Sequence, residues 1–315
     1  MKIGIIGAGW FGKLLQKHLA TDNEVTMDHP TNCELVIFAV PNHALEAAIQ
    51  QWQPQIDKGA TIIDVGSVKE LPSQLLLKYF QNNIIGVHPL FGPDSAAQSW
   101  EGHTAVFCKL HADAPRYEAV KQLFTSRGVM VFECTPEEHD LLMANTQALV
   151  HFIGRALSGS EAQAVATPDY QNLLNMMSKV TNDTWELFFD MQTLNPQAAA
   201  VRATFVQKLL NLQREITEHD IVQATELVEL RKHIDRVDEQ IVTLIGERFA
   251  IARQIGKLKQ AVVTEVHDAT READLFIRLH NLAMQHQVPL EVVTHVYDYL
   301  MGESRKVQAA NSVDN

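Results

Sequence analysis

Cysteine is scarce in this chain. Three occur in 315 residues, Cys33, Cys108 and Cys134, with no Cys-x-x-Cys pair. An odd, scattered set supports neither a disulfide framework nor a zinc knuckle and fits a reducing compartment. Runs of basic residues are also missing. The 26 lysines and arginines stand against 38 acids, a formal charge of −12, which argues against nucleic acid or an anionic membrane as partner. No apolar stretch reaches the roughly 18 residues of a membrane span. The chain opens on an apolar strand rather than a signal peptide, so the expectation is a soluble, cytoplasmic protein. His18, His43, His103 and His111 lack ligand spacing with cysteines or acids, and no metal is expected. Internal repeats and low-complexity tracts are absent, apart from a polar tail. What is there is an ordinary globular composition, 46% hydrophobic and 20% charged, in a chain long enough for more than one domain.

Up to residue 135, short β-branched runs at 3–6, 35–40, 61–65, 84–87, 105–108 and 129–132 alternate with amphipathic segments. That rhythm predicts a parallel, Rossmann-type doubly wound α/β sheet. From Pro136, a residue suited to a helix start, the pattern is helical throughout, with apolar positions Leu141, Ala144, Ala148 and Phe152 at three- to four-residue spacing. The polar stretch 215–225 is the best linker candidate. Beyond it, Leu230, Ile234, Val237, Ile241, Leu244 and Ile245 form a helical stripe suited to packing against other helices. The division expected is a nucleotide-binding domain at 1–135, a helical region at 136–225, an all-α three-helix domain at 226–310 and a frayed tail at 311–315.

Gly7-Ala8-Gly9-Trp10-Phe11-Gly12 follows the first strand and opens a helix, the setting that the Gly-x-Gly-x-x-Gly pattern requires. The first glycine permits a tight turn, the second lets a pyrophosphate approach the backbone, and the third allows close helix–strand packing. Free N–H groups at the helix start face the anion. Asp28, at the end of the second strand, is placed to accept from a ribose 2′-hydroxyl, which favours NAD over NADP. A flavin or nucleotide-sugar site would use the same loop. Only 29–34 separate Asp28 from the next strand, too few for a helical crossover, so the adenosine side is expected to be trimmed and open.

Gly66-Ser67-Val68-Lys69 and His88-Pro89-Leu90-Phe91-Gly92-Pro93-Asp94 end two further strands, where doubly wound sheets place their ligands. With Glu138-His139-Asp140 and Gln147-Ala148-Leu149-Val150-His151-Phe152, these segments resemble prephenate dehydrogenase of the branch found in bifunctional bacterial enzymes, over residues 1–225. The resemblance implies NAD-dependent oxidative decarboxylation of prephenate, with His88 as base, Ser67 hydrogen-bonding near it and the substrate hydroxyl, and His151 lining the pocket. The family's carboxylate-binding arginine aligns with Lys179, which keeps the charge but loses the bidentate fork. A solvated helix lysine is the alternative for that position.

Cations stand out in the acidic last quarter. Arg248 and Lys259 are eleven positions apart, about three helical turns, and so share a face. Arg231, seventeen positions before Arg248, lies about a quarter-turn away, so one straight helix cannot aim both at one small ligand. Together with Asp268, Arg271, Glu272, Ser304 and Gln308 they resemble the all-helical chorismate mutase domain over 226–308. The resemblance implies an intertwined homodimer in which Arg231 reaches the partner's site. Arg231 and Arg248 would clamp carboxylates, Lys259 and Gln308 would face the ether oxygen, Asp268 and Glu272 would order the hydroxyl region, and Arg271 and Ser304 would complete the wall. A pericyclic rearrangement of a dianion needs only a held conformer and cations where charge separates. The sequence thus reads as a dimeric enzyme of tyrosine biosynthesis acting on chorismate and prephenate, with the mutase last where the bifunctional relatives carry it first. The alternatives are a decayed or regulatory dehydrogenase domain, a preference for arogenate or another amino analogue, and a binding module that senses an aromatic amino acid. No residue speaks to tyrosine feedback or channelling.

Overall fold

The computed structural model describes residues 1–159, 163–223, 227–262 and 269–310. Its N-terminal elements are β1 (Lys2–Ile6), α1 (Trp10–Leu19), β2 (Glu24–Met27), β3 (Leu35–Phe38), α2 (Leu45–Trp52), β4 (Thr61–Asp64), α3 (Glu70–Tyr79), β5 (Asn83–Pro89), α4 (Pro93–Ala96), β6 (Thr104–His111), α5 (Ala114–Thr125) and β7 (Met130–Glu133). They build one sheet of order β2-β1-β3-β4-β5-β6-β7. Strands β1 and β3–β5 are buried on both faces, which is why they read as nearly continuous apolar runs. Ile3, Ile5, Leu35, Ile37, Ile63, Ile85 and Val87 pack on one side; Val36, Phe38, Ile62 and Ile84 pack on the other.

The sheet is mixed, not uniformly parallel. β6 pairs antiparallel with β5, and β7 pairs parallel with β6. Between β5 and β6 lies only the four-residue α4, so no full crossover helix carries the chain back to the start of the sheet and it turns around instead. The link from β2 to β3 has no helix either, and both strands pair with β1. It crosses β1 at Gly4, where a Cβ would stand 3.0 Å from the Pro30 Cα. A side chain at position 4 would block that path.

The helices that follow are α6 (Pro136–Met143), α7 (Leu149–Ala156), α8 (Pro168–Asn182), α9 (Trp185–Thr193) and α10 (Ala198–Gln223). At the start of α6 the Thr135 hydroxyl accepts from the Glu138 N–H, the Glu138 carboxylate accepts from the Thr135 N–H, and Pro136 occupies the first turn, a reciprocal cap. A π-helical segment, Ala144–Ala148, joins α6 to α7. It breaks the regular spacing expected for this stretch, since Ala144 and Ala148 are buried while Leu141 is exposed. The extra residue in a π turn rotates every later side chain.

Residues fall into two compact units, Met1–Leu210 and Asn211–Asn315. The division lies inside α10, and the proposed linker stretch is helical as far as Gln223. The second unit contains α11 (Leu227–Val262), α12 (Ala269–Gln285) and α13 (Leu290–Ala310). α13 packs against both α11 and α12, burying Ala252, Leu279, Ala283, Leu300 and Met301. Among the described residues no helix is long and apolar enough to cross a membrane.

Candidate active sites

The glycine loop has the geometry its spacing implies. Gly7 takes φ +112°, and a Cβ there would meet the Ala39 carbonyl oxygen at 2.4 Å; one on Gly12 would meet the Gly7 oxygen at 1.9 Å. Around Gly9 there is open space, the clearance that a diphosphate needs beside the first N–H groups of α1. Trp10 is exposed at the helix start, and Phe11 leans on Phe91 at 6.5 Å between ring centroids. Asp28, with φ +53°, accepts the Gly7 N–H at 2.9 Å through Oδ1. Its carboxylate therefore braces the loop.

Ser67 and His88 stand at the carboxyl ends of β4 and β5, both buried. The Ser67 hydroxyl has no hydrogen-bond partner among the described residues, an orphan that a bound ligand would satisfy. His88 Nδ1 lies 2.8 Å from His139 Nε2, and His139 Nδ1 lies 2.7 Å from Asp140 Oδ1. Asp140 also accepts the backbone N–H groups of Lys69 at 2.8 Å and Glu70 at 3.0 Å. Beside this row Lys69 and Asp64 form a fully buried ion pair. Burial, reinforced by His139 and Lys69, holds His88 well below the usual imidazole range. Burial also lowers His139, against the opposing pull of Asp140.

A second cluster forms where α7 packs on α8. His151 and Arg155 are one turn apart on α7. His151 is buried, with Nε2 3.6 Å from Asp183 Oδ2 and Nδ1 unpartnered among the described residues. Arg155 donates to the Asp183 carbonyl, and its guanidinium lies 4.2 Å from the Trp185 ring centroid. Burial and the Arg155 charge push His151 down to about 4. Burial and the nearby Asp94 raise Asp183. Lys179 is exposed on α8.

In the C-terminal unit Arg248 of α11 donates to the Leu300 carbonyl at 3.1 Å and to the Ser304 hydroxyl of α13. Further along the same pair of helices, a Cβ on Gly256 would lie 3.0 Å from the Gln308 Cα, so α13 rests almost on the α11 backbone. The Gln308 Oε1 is buried without a partner among the described residues, and Lys259 is half-buried. Glu272 of α12 pairs with Arg305 at 2.8 Å, and Arg271 is exposed. Asp268 lies outside the described residues. Arg231 is exposed near the start of α11, seventeen residues or about 25 Å of helix from Arg248.

The structure thus gathers Ser67 and His88 in one unit, and Arg248, Ser304 and Gln308 in the other, and it leaves Arg231 apart. Lys69, Asp64, Arg155, Asp183 and Arg305 were not singled out as site residues. His139 and Asp140 were visible only as part of a tripeptide without a role. Their shared signal, a charged or titratable residue inside an otherwise apolar stretch, is weak until the fold shows it buried.

Comparison with known proteins places families on both units. Residues 15–133 match "Prephenate dehydrogenase, nucleotide-binding domain", 157–227 match "TYRAAT1-like, C-terminal domain" and 230–309 match "Chorismate mutase type II". Arogenate dehydrogenase 2 of Arabidopsis thaliana is 29% identical over 232 residues, covering 63% of this chain and 65% of the relative. The T-protein of Enterobacter agglomerans is 27% identical over 205 residues, covering 59% and 54%. The chain therefore spans less than two thirds of either relative. A solved prephenate dehydrogenase from A. aeolicus, in complex with hydroxyphenyl propionate and NAD+, superposes with a TM-score of 0.57 at 18% identity, over 76% of this chain and 98% of that one. The chain thus carries, in this order, a segment similar to the nucleotide-binding domain of prephenate dehydrogenase and a segment similar to type II chorismate mutase.

Proposed function

We propose that the C-terminal unit rearranges chorismate to prephenate and that the N-terminal unit oxidises prephenate, with loss of carbon dioxide, to 4-hydroxyphenylpyruvate using NAD. The observation that carries the dehydrogenase reading is His88: buried, held neutral, and at the exit of the strand paired with the one that leads to Ser67, whose buried hydroxyl has no partner among the described residues. A neutral imidazole there can accept the substrate hydroxyl proton. The glycine loop fits a dinucleotide, since the open space at Gly9 would receive the diphosphate and Asp28 a ribose hydroxyl. Bound there, the nicotinamide supplies the hydride acceptor. Ser67 would hold the substrate hydroxyl against His88, and His151 would line the ring.

The mutase reading rests on the α11–α13 face. Arg248 would hold a carboxylate, while the Lys259 ammonium and the Gln308 side-chain NH2 would donate to the ether oxygen as charge separates. Arg231 is too far along α11 to join this site in its own chain. A second protomer would bring it, and the exposed apolar stripe Ile234, Val237, Ile241 and Leu244 would be covered in that homodimer. Its setting would be cytoplasmic.

A coupled assay of the purified protein tests both halves. Chorismate with NAD should yield 4-hydroxyphenylpyruvate and NADH, and His88→Asn should stop the sequence at prephenate. Unconsumed chorismate would remove the mutase reading; prephenate without NADH would leave a decayed dehydrogenase domain. One observation favours a second reading, an amino-bearing substrate such as arogenate: Asp183 sits beside His151 and Arg155, and a carboxylate next to a cation suits a zwitterionic side chain. Specificity constants for prephenate and arogenate decide between them.

A further inference from the structure

The hydrogen-bond row behind His88 has a direction. The Asp140 carboxylate can only accept, so the proton of a neutral His139 belongs on Nδ1, 2.7 Å away, and His139 Nε2 is bare. That bare nitrogen faces His88 Nδ1 at 2.8 Å, so His88 carries its own proton on Nδ1 and keeps Nε2 free. An isolated imidazole in a buried site would have no such preference, and charging it there would be costly.

We propose that His139 and Asp140 are positioning residues for the dehydrogenation: they hold His88 with Nε2 unprotonated and share the positive charge that it acquires. The proposal rests on the dehydrogenase reading above. As the hydride leaves the hydroxyl-bearing carbon for the nicotinamide, the substrate O–H bond breaks and a His88 Nε2–H bond forms. The His88 Nδ1–H bond breaks in turn as a His139 Nε2–H bond forms, and the charge rests beside Asp140. When carbon dioxide departs, its bonding electrons complete the aromatic ring and the ring oxygen takes the proton back along the same path. No proton is released overall.

The surroundings suit a transient charge. Lys69 and Asp64 face the row from β4 and its following loop as a neutralised pair. Glu70, at the start of α3, and Lys69 offer Asp140 their backbone N–H groups. Asp140 is thereby pinned at both oxygens and cannot swing away from His139.

The test uses two substitutions of His139 in the full-length protein, because Asp140 also caps backbone N–H groups and its loss could unfold the site. In His139→Gln the amide oxygen can still accept from His88 and its NH2 can still donate to Asp140, but the side chain cannot take a proton; His139→Ala loses both functions. The expected result is a kcat lowered about 100-fold or more in His139→Ala, in the range of general-base effects, and by about 10-fold, below that range, in His139→Gln, which keeps both hydrogen bonds, with the KM for NAD unchanged. The acidic limb of log kcat should move to lower pH in His139→Gln by about one unit, a shift that simple loosening of the fold would not produce. An unshifted limb, or a His139→Gln enzyme as fast as wild type, overturns the proposal. Imidazole 15N NMR of the unliganded protein, with His88→Asn for assignment, should show His88 as the Nδ1–H tautomer, and the Nε2–H tautomer also overturns it. Failure of the wild-type protein to oxidise either prephenate or arogenate would instead count against the dehydrogenase reading, which the tautomer measurement does not depend on.

Discussion

Arg248 and Lys69 show two ways in which a cation is held. The Arg248 guanidinium is anchored to Leu300 and Ser304 on α13, so it would meet a ligand already oriented. Arg248→Ala should lower mutase kcat/KM by about 100-fold or more, as loss of a preorganised charge does. NADH formation from prephenate should be unchanged in the same preparation. Arg248→Lys should recover little, because an ammonium lacks the planar fork; separate assays of the two activities check both statements. Lys69 is buried against Asp64 with no exposure at all. Lys69→Met alone should cost about 3–5 kcal/mol in denaturant unfolding, because it strands a buried carboxylate. The double variant Lys69→Met/Asp64→Leu should lose much less. Of these residues, only Arg248 stood out in the sequence, by the helix face that it shares with Lys259 and by a family pattern. The Lys69–Asp64 pair spans five positions across a strand exit, and nothing local distinguishes it from a solvated lysine and aspartate.

At the scale of elements, the phosphate loop was readable because its reasons are local. A turn, a close approach and a helix start all lie within 7–12, and each glycine occupies the place that its spacing implies. Gly12→Ala should abolish nucleotide binding, since its Cβ would overlap the Gly7 carbonyl; a titration with NADH followed by fluorescence measures this. The helices α6 and α7 were legible in extent but not in facing, because the π turn between them shifts the register. Their buried histidines carry a pH consequence. His139 and His151 both titrate below their unfolded range in the folded chain, so the unfolded state binds the extra protons first. The neutral forms cost nothing above about pH 6.5, and stability falls progressively as pH drops from there towards the folded value of about 4 for His151. Thermal melts at pH 7.5 and 5 should show the lower Tm at pH 5. In His151→Asn the pH dependence should be shallower.

At the scale of the whole molecule, the question is whether two chains make one mutase site. If Arg231 serves the partner, neither Arg231→Ala nor Arg248→Ala alone should be active. Mixing them by refolding together should then restore about a quarter of the wild-type sites, because half of a statistical mixture is heterodimer and each heterodimer has one intact site. A mixture no more active than its parts refutes the shared site. Ile241→Asp, on the exposed apolar stripe of α11, should shift sedimentation towards monomer and take mutase activity with it.

The sequence by itself determined the strands, the phosphate loop, the helix start at Pro136 and the resemblance of each half to a known family, because periodicity, turn chemistry and motif spacing act over a few residues. Only the tertiary structure decided that β6 runs against β5, that the β2–β3 link passes over Gly4, and that His139 stands behind His88 from 51 residues away. The physical reason is the same in each case. Which side chains meet across a sheet depends on strand order and on the rotation of a distant helix, and neither leaves a local trace in the pattern of apolar and polar residues.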